Sequence, residues 1–456
     1  MIRDAVISHA PSPPPAAAPG AELRAEVASL VERFAALWRA TPEGLPGEAE
    51  LGPAISRRRQ RRNRRRADRL VRLVCREVRD LPDDDGEEER RALERRLKAR
   101  IADFGETSLG WPASYRDAPL AQELFGATAA FLRRARAWGE AQGLELGAGE
   151  LFQALRNVWI MNGLQVLLGR PVAVTPSVFA YSMLYPLTDN FLDDPAVPGA
   201  AKAAFNRRLG RRLAGRPAVA LDRRERGVFA LVGEIEGEHS RAAFPRVYEA
   251  LLAIHRGQGR SLRQQTGDRP AGHRPTAGEL LRWSVEKGGS SVLADGFLVA
   301  GEPGAAELEL LFGYGVLLQL LDDLQDASAD REAGHWTLFS LAAACERPDV
   351  DLDRLVGRLA RFIPRALAGA ERFEAAGWEV AFDLIRRHCP LLLIQAVGDQ
   401  RELFAAETVA RVEARSPVRF AAVPGLRRRT ERRWRRTRKA LLARRGAESL
   451  LDLVAP

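Results

Sequence analysis

The stretch LLQLLDDLQDASAD, residues 317–330, sets four aspartates behind an apolar run. The run is long and apolar enough for a buried helix, yet Asp322, Asp323, Asp326 and Asp330 follow inside the same helical pattern. Asp322, Asp326 and Asp330 recur every four residues, which stacks them along one helix face, with Gln319 a turn earlier. Like charges at this spacing weaken a helix unless something positive lies among them. A second stretch, LTDNFLDDP at 187–195, places Asp189 and Asp193 one turn apart, with Asp194 before Pro195.

Two such stripes need a cation. Carboxylates about 4 Å apart repel by roughly 4 kcal/mol at an effective dielectric near 20. Magnesium takes hard oxygen ligands and binds through one or two carboxylates, waters and substrate phosphates. Two facing stripes could therefore hold metal ions that clamp a diphosphate and stabilise charge on it as it departs.

The rest of the chain reads as all-α. It has 456 residues and is 46% hydrophobic, enough for a sizeable core. From about 120 to 410, helical periodicity follows helical periodicity with Gly/Pro punctuation, and no alternating β-run or fixed-period repeat appears. Thr175 with Pro176, and Thr276 with Glu279, mark two helix starts by cap chemistry. Pro186 should kink or break the first of these helices, and Gly288–Gly289 could end or kink the second just after Lys287. Boundaries are expected at a disordered Pro/Ala-rich segment 1–20, a basic helical extension 21–115, a main helical domain 116–415 and a basic tail 416–456.

Net charge is +10, almost all of the excess being arginine; the four lysines are Lys98, Lys202, Lys287 and Lys439. Eight arginines fall between Arg57 and Arg66, and a second basic run covers 427–438. Their first reading is a solvated helix face, with contact to an anionic membrane surface next, and nucleic acid is not expected as a partner. Cys75, Cys345 and Cys389 are far apart, which argues against a disulfide framework or zinc site. No apolar stretch approaches membrane-spanning length and the start has no secretory h-region, so a cytoplasmic location is expected. HExxH, GxSxG, Walker A and Rossmann patterns are lacking. His335, in REAGHWTLF, follows the second acid stretch and lies near it in sequence.

The two acidic stretches resemble the aspartate-rich motifs of class I isoprenoid synthases, the trans-prenyl diphosphate synthases and terpene cyclases. The resemblance covers about 150 to 345. It implies a large antiparallel helical bundle with basic helical extensions. It further implies three magnesium ions and an allylic prenyl diphosphate substrate, ionised to a carbocation with loss of pyrophosphate. Asp189 and Asp193 match the outer positions of the first motif; Asp322, Asp323 and Asp326 match the second, with Gln319 at its preceding glutamine. The implied metal ligands are Asp189, Asp193, Asp322, Asp326 and Asp330. RWSVEKGGSSVLADG resembles the helix whose lysine, here Lys287, contacts the diphosphate. HRGQGRSLRQQTG resembles the segment upstream, which gives Gln258 a place at the substrate. Tyr185, with Tyr181 and Leu184, stands where side chains limit product length. Phe179, Tyr181, Phe191, Trp283, Phe297 and Tyr314 are candidates for an aromatic wall around a carbocation. Asn190 replaces the second aspartate of the first motif, and no GGKRxRP-like stretch is found, a departure from chain-elongating members. Prenyl transfer and cyclisation both stay open, as do a homodimer and a noncatalytic phosphate-ligand-binding alternative.

Overall fold

A computed structural model describes residues 21–80, 87–194, 196–261, 264, 275–344, 351–369 and 378–453. The expectations placed on 1–20 and on 262–263 and 265–267 lie outside them. Among the described residues the chain is all-α, with no β-strand. Its first helices are α1 (Ala21–Arg39), α2 (Glu48–Leu51), α3 (Arg57–Arg79), α4 (Glu87–Phe104), α5 (Pro119–Gln142) and α6 (Ala148–Leu167). Then come α7 (Pro176–Asp193), α8 (Gly199–Leu213), α9 (Arg223–Glu238), α10 (Pro245–Ser261), α11 (Ala277–Ala300) and α12 (Ala305–Gln325). The last are α13 (Ala327–Ala333), α14 (Leu338–Ala343), α15 (Leu352–Ala366), α16 (Trp378–Asp399), α17 (Ala406–Glu413) and α18 (Val423–Leu453). None of these helices is long and apolar enough to cross a membrane.

The centre is α11, which contacts α1, α6, α7, α10, α12 and α14 and is buried along most of its length. A helix that is apolar nearly all round has no other stable place. Its start is the expected capping box: the Glu279 amide donates to Thr276 Oγ1 at 3.2 Å, and the Thr276 amide to Glu279 Oε2 at 2.9 Å. Its glycines do not end it. A Cβ on Gly288 would sit 2.5 Å from the Gly315 carbonyl oxygen, and one on Gly289 would sit 2.3 Å from the Phe312 ring. The pair is therefore where α11 and α12 touch backbone to backbone, and the packing gained there offsets the roughly 1 kcal/mol that glycine costs a helix.

Thr175 caps α7, accepting from the Val178 amide at 3.3 Å, with Pro176 in the first turn. Pro186 lies inside α7 without breaking it. The surrounding helices bury Met183, Leu184 and Leu187, and this tertiary packing outweighs the lost backbone hydrogen bond.

The termini are drawn into the fold. Leu23, Val27, Phe34 and Trp38 of α1 are core residues, and α1 contacts α10, α11, α12 and α15. The arginine run is the start of α3. Its two interruptions, Gln60 and Asn63, are its buried face. Gln60 Nε2 donates to the carbonyls of Glu413 (2.7 Å) and Ser416 (3.0 Å), and Asn63 Nδ2 to those of Ser108 (3.2 Å) and Pro417 (3.1 Å). α18 runs beside α3 in the same direction, joined through Asp68, which accepts from Arg429 (3.3 Å) and Arg433 (2.7 Å).

Candidate functional site

α7 and α12 end at the same place, and α11 passes between them. Asp189, on the last turn of α7, is half-buried; Asp193 and Asn190 are exposed. The charges of Asp193 and Asp322 both act on Asp189, so the two acidic stretches meet. Lys287, half-buried on α11, lies among them. Asp189 first, with Tyr185, Asp193 and Asp323, holds its ammonium above the usual lysine range. Burial, then Asp193 and Asp322, pushes the Asp189 carboxyl up, against the pull of Lys287 and the Tyr185 hydroxyl. Asp189 in turn raises the Tyr185 phenol.

The second stretch divides into parts with different surroundings. Asp322 is half-buried and faces Arg156 Nη2 at 3.5 Å. Asp323 turns inward, is buried, and accepts from Ser284 Oγ at 2.6 Å and Gln319 Nε2 at 2.7 Å. It ties α12 to α11, and burial pushes its carboxyl up to about 6. The Asp326 carboxyl is pushed up to about 6 by desolvation and then by Asp322 and Asp330. The regular spacing does not mean one helix: α12 ends at Gln325, and Asp330 stands on the short α13. Backbone bonds from Asp326 to Asp322 and from Asp330 to Asp326 carry the helical course across the junction and keep the acids neighbours. His335 Nδ1 lies 3.2 Å from Asp330 Oδ1. Burial disfavours its imidazolium, but the bond to Asp330 outweighs that and holds the pKa above the usual histidine value.

Beneath the acids is a cavity of about 130 Å³ whose lining includes Tyr185, Gln258, Lys287, Gln319 and Asp322. Its apolar wall is aliphatic: Ile160, Ile254, Val292, Leu318, Leu321 and Leu392. Five of the six expected aromatics are elsewhere. Phe179 packs on Phe131 and Trp138, and Phe191 on Phe205. Phe297 is buried in the core, Tyr314 packs against it, and Trp283 does not line the cavity. Tyr181 borders a smaller adjoining space with Tyr185, Ile254 and Gln258. Aromatic rings at helical spacing were drawn into the main core because they bury the most apolar area.

Among the lining residues that the sequence does not single out are Arg156, Asn157 and Asp295. Asp295 is fully buried; Asn157 Nδ2 donates to its Oδ1 at 3.1 Å, while Oδ2 has no hydrogen-bond partner. Burial raises its pKa well above the usual carboxylate value, which favours the neutral acid at the inner wall. A signal was there: Lys287, Ser291 and Asp295 recur every four residues along one face of α11. Arg156 and Asn157 had none.

Among the described residues no three His, Cys, Asp or Glu side chains gather tightly enough to cage a metal ion. Magnesium does not need such a cage, since it is held by one or two carboxylates together with substrate phosphates. Asp322 and Asp330 both raise the Asp326 carboxyl, and one or two of these carboxylates joined by substrate phosphates is the donor set that magnesium takes.

No protein-family model matches the chain, and neither does any curated protein. Among solved structures it is similar to the SVS_A2 protein from ancestral sequence reconstruction, at 16% identity and a TM-score of 0.43. That match covers 61% of this chain and 88% of the other. It is also similar to a cucumene synthase variant, at 16% identity and a TM-score of 0.40, over 62% of this chain and 96% of that one. A likeness of this degree carries no argument about activity.

Proposed function

We propose that the chain is a magnesium-dependent class I isoprenoid synthase that ionises an allylic prenyl diphosphate, for prenyl transfer or cyclisation. The reading rests on one observation: Asp189 and Asp322, from different helices, lie close enough for the charge of Asp322 to reach Asp189, with Lys287 beside them at an internal cavity. Asp189, Asp193, Asp322, Asp326 and Asp330 would hold magnesium, which when bound supplies positive charge to a departing diphosphate. Lys287 and Arg156 are the chain's own cations at that mouth and would meet phosphate oxygens directly. Asp323, through Ser284 of α11, would hold α12 beside α11 and so hold Asp322 near Lys287, with Gln319 of the same helix orienting its carboxylate. The aliphatic wall would hold the prenyl chain and exclude water from the ionised carbon.

The test is pyrophosphate release from geranyl, farnesyl and geranylgeranyl diphosphates, with and without isopentenyl diphosphate, at several magnesium concentrations. Release that needs magnesium is expected, and Asp322→Ala or Asp326→Ala should abolish it with helicity unchanged. Undiminished turnover in either variant refutes the metal role. No release from any of these substrates favours a phosphate-ligand-binding protein, a reading to which Arg156 facing Asp322 also lends itself.

A further inference from the structure

The two arginine runs, about 370 residues apart in sequence, lie on neighbouring parallel helices (427 against 57). Ten arginines of α3 are exposed, as are seven basic side chains of α18 through Lys439; Glu431 is the exposed acid of the two stretches. Asp68, the acid between the helices, is already taken by Arg72, Arg429 and Arg433. Arg79 also meets Asp80 and Arg427 meets Asp399, yet among the described residues the acids along these two helices are far fewer than the exposed arginines, and that excess points to an extended anionic partner.

α4 says which kind. It packs on α3 through Arg100 and Arg96, both on Glu77, and the two helices border a groove of about 590 Å³ walled by Arg66, Arg69, Arg96 and Arg100. On its other side, α4 borders an apolar cavity of about 330 Å³, larger than the one under the acids, with Ile101, Trp111, Leu120, Leu124 and Phe125 in its wall. Ala99 belongs to both. Nucleic acid has use for the arginines but none for an apolar chamber one side chain behind them. A bilayer surface has use for both, since its anionic headgroups meet the basic helices and an acyl chain fills the chamber.

We propose that the α3–α4–α18 face docks on an anionic membrane surface, with one lipid chain entering the cavity between α4 and α5. The proposal stands apart from the chemistry of the aspartate site. The test is co-sedimentation of the full chain with vesicles of phosphatidylcholine alone, and of phosphatidylcholine with phosphatidylglycerol, at rising salt. Binding to the anionic vesicles alone is expected, weakening as salt screens it. Neutralising Arg61, Arg65, Arg432 and Arg435 together to Gln should cut partitioning on the order of several hundredfold, at about fivefold per arginine near the surface. Ala121→Trp, which fills the cavity, should leave low-salt adsorption intact but lower retention at higher salt. Wild-type chain that ignores the anionic vesicles at low salt overturns the proposal, whatever the variants do. So does capture of a mixed-sequence DNA duplex at the same salt without vesicle binding, and so does equal partitioning of a folded quadruple variant.

Discussion

Replacing Gly315 by Ala tests how the site is held together. A Cβ there would lie 2.1 Å from the Gly288 carbonyl oxygen, 2.9 Å from its carbon and 3.1 Å from Val292 Cβ. Reaching an ordinary contact of 3.4 Å requires α11 and α12 to part by about 1.3 Å, the difference between 3.4 and 2.1. The obstacle is backbone, so no rotamer can relieve it. Overpacking of this kind costs about 1–3 kcal/mol, and a rigid main-chain clash belongs at or above the upper end. Alanine returns about 1 kcal/mol of helix propensity, so the expected net loss is about 2 kcal/mol. The control is Gly163→Ala in the interior of α6, where a Cβ would meet nothing within 4 Å; it should stabilise by up to about 1 kcal/mol. Urea unfolding followed by circular dichroism at 222 nm reads both. The same parting of helices would stretch the 2.6 Å Ser284–Asp323 hydrogen bond, so diphosphate turnover should fall in Gly315→Ala and hold in Gly163→Ala. If Gly315→Ala unfolds within about 0.5 kcal/mol of wild type, the backbone contact is not what fixes the two helices, and the reasoning fails.

Three other expectations concern separate parts of the molecule. Asp383 accepts from Tyr115 (2.5 Å), Arg386 (2.6 Å) and Arg387 (2.8 Å), and despite burial these bonds hold its carboxyl down at about 2. A carboxyl depressed in the folded state adds stability above its unfolded pKa and loses it as pH falls. Asp383→Asn should therefore cost about 1–3 kcal/mol at neutral pH, with the gap to wild type closing between pH 4 and 2; a gap that persists at pH 2 argues against the ionised pairing. Asp295→Asn should leave stability within about 1 kcal/mol of wild type, because the amide replaces a neutral acid of the same shape; a loss above about 3 kcal/mol would mean a buried anion instead. Gln60→Ala removes two bonds to carbonyls and should cost about 1–3 kcal/mol, with faster amide exchange at the start of α3; unchanged exchange there would sink the docking role.

What could be seen in advance was what local chemistry governs. Thr175, Thr276 and Glu279 cap their helices through bonds three residues long, and nothing distant overrides them. The acidic stretches were visible because like charges clustered at helical spacing behind an apolar run are costly wherever they fold. Gly288 and Gly289 were ambiguous because their meaning lies in Phe312 and Gly315, more than twenty residues on. Phe179, Phe297 and Tyr314 suit a cavity wall by type, but the core has the stronger claim on them because it buries more of their apolar area. Asp295 lay in plain spacing with Lys287, but burial, which gives it its character, belongs to the assembled bundle and to no window of sequence.

The anchoring of α3 by Gln60 and Asn63 leaves the first turns of that helix oddly unconstrained. Two amides set where it sits, with Arg66 on the Thr107 carbonyl, and the exposed Arg57, Arg58, Arg59, Arg61, Arg62 and Arg65 around them can be exchanged for lysine, glutamine or glutamate without disturbing a packed neighbour. Surface potential at this edge is thus decoupled from foldability, and drift or selection can retune the chain's attraction to its surroundings while the bundle stays as it is.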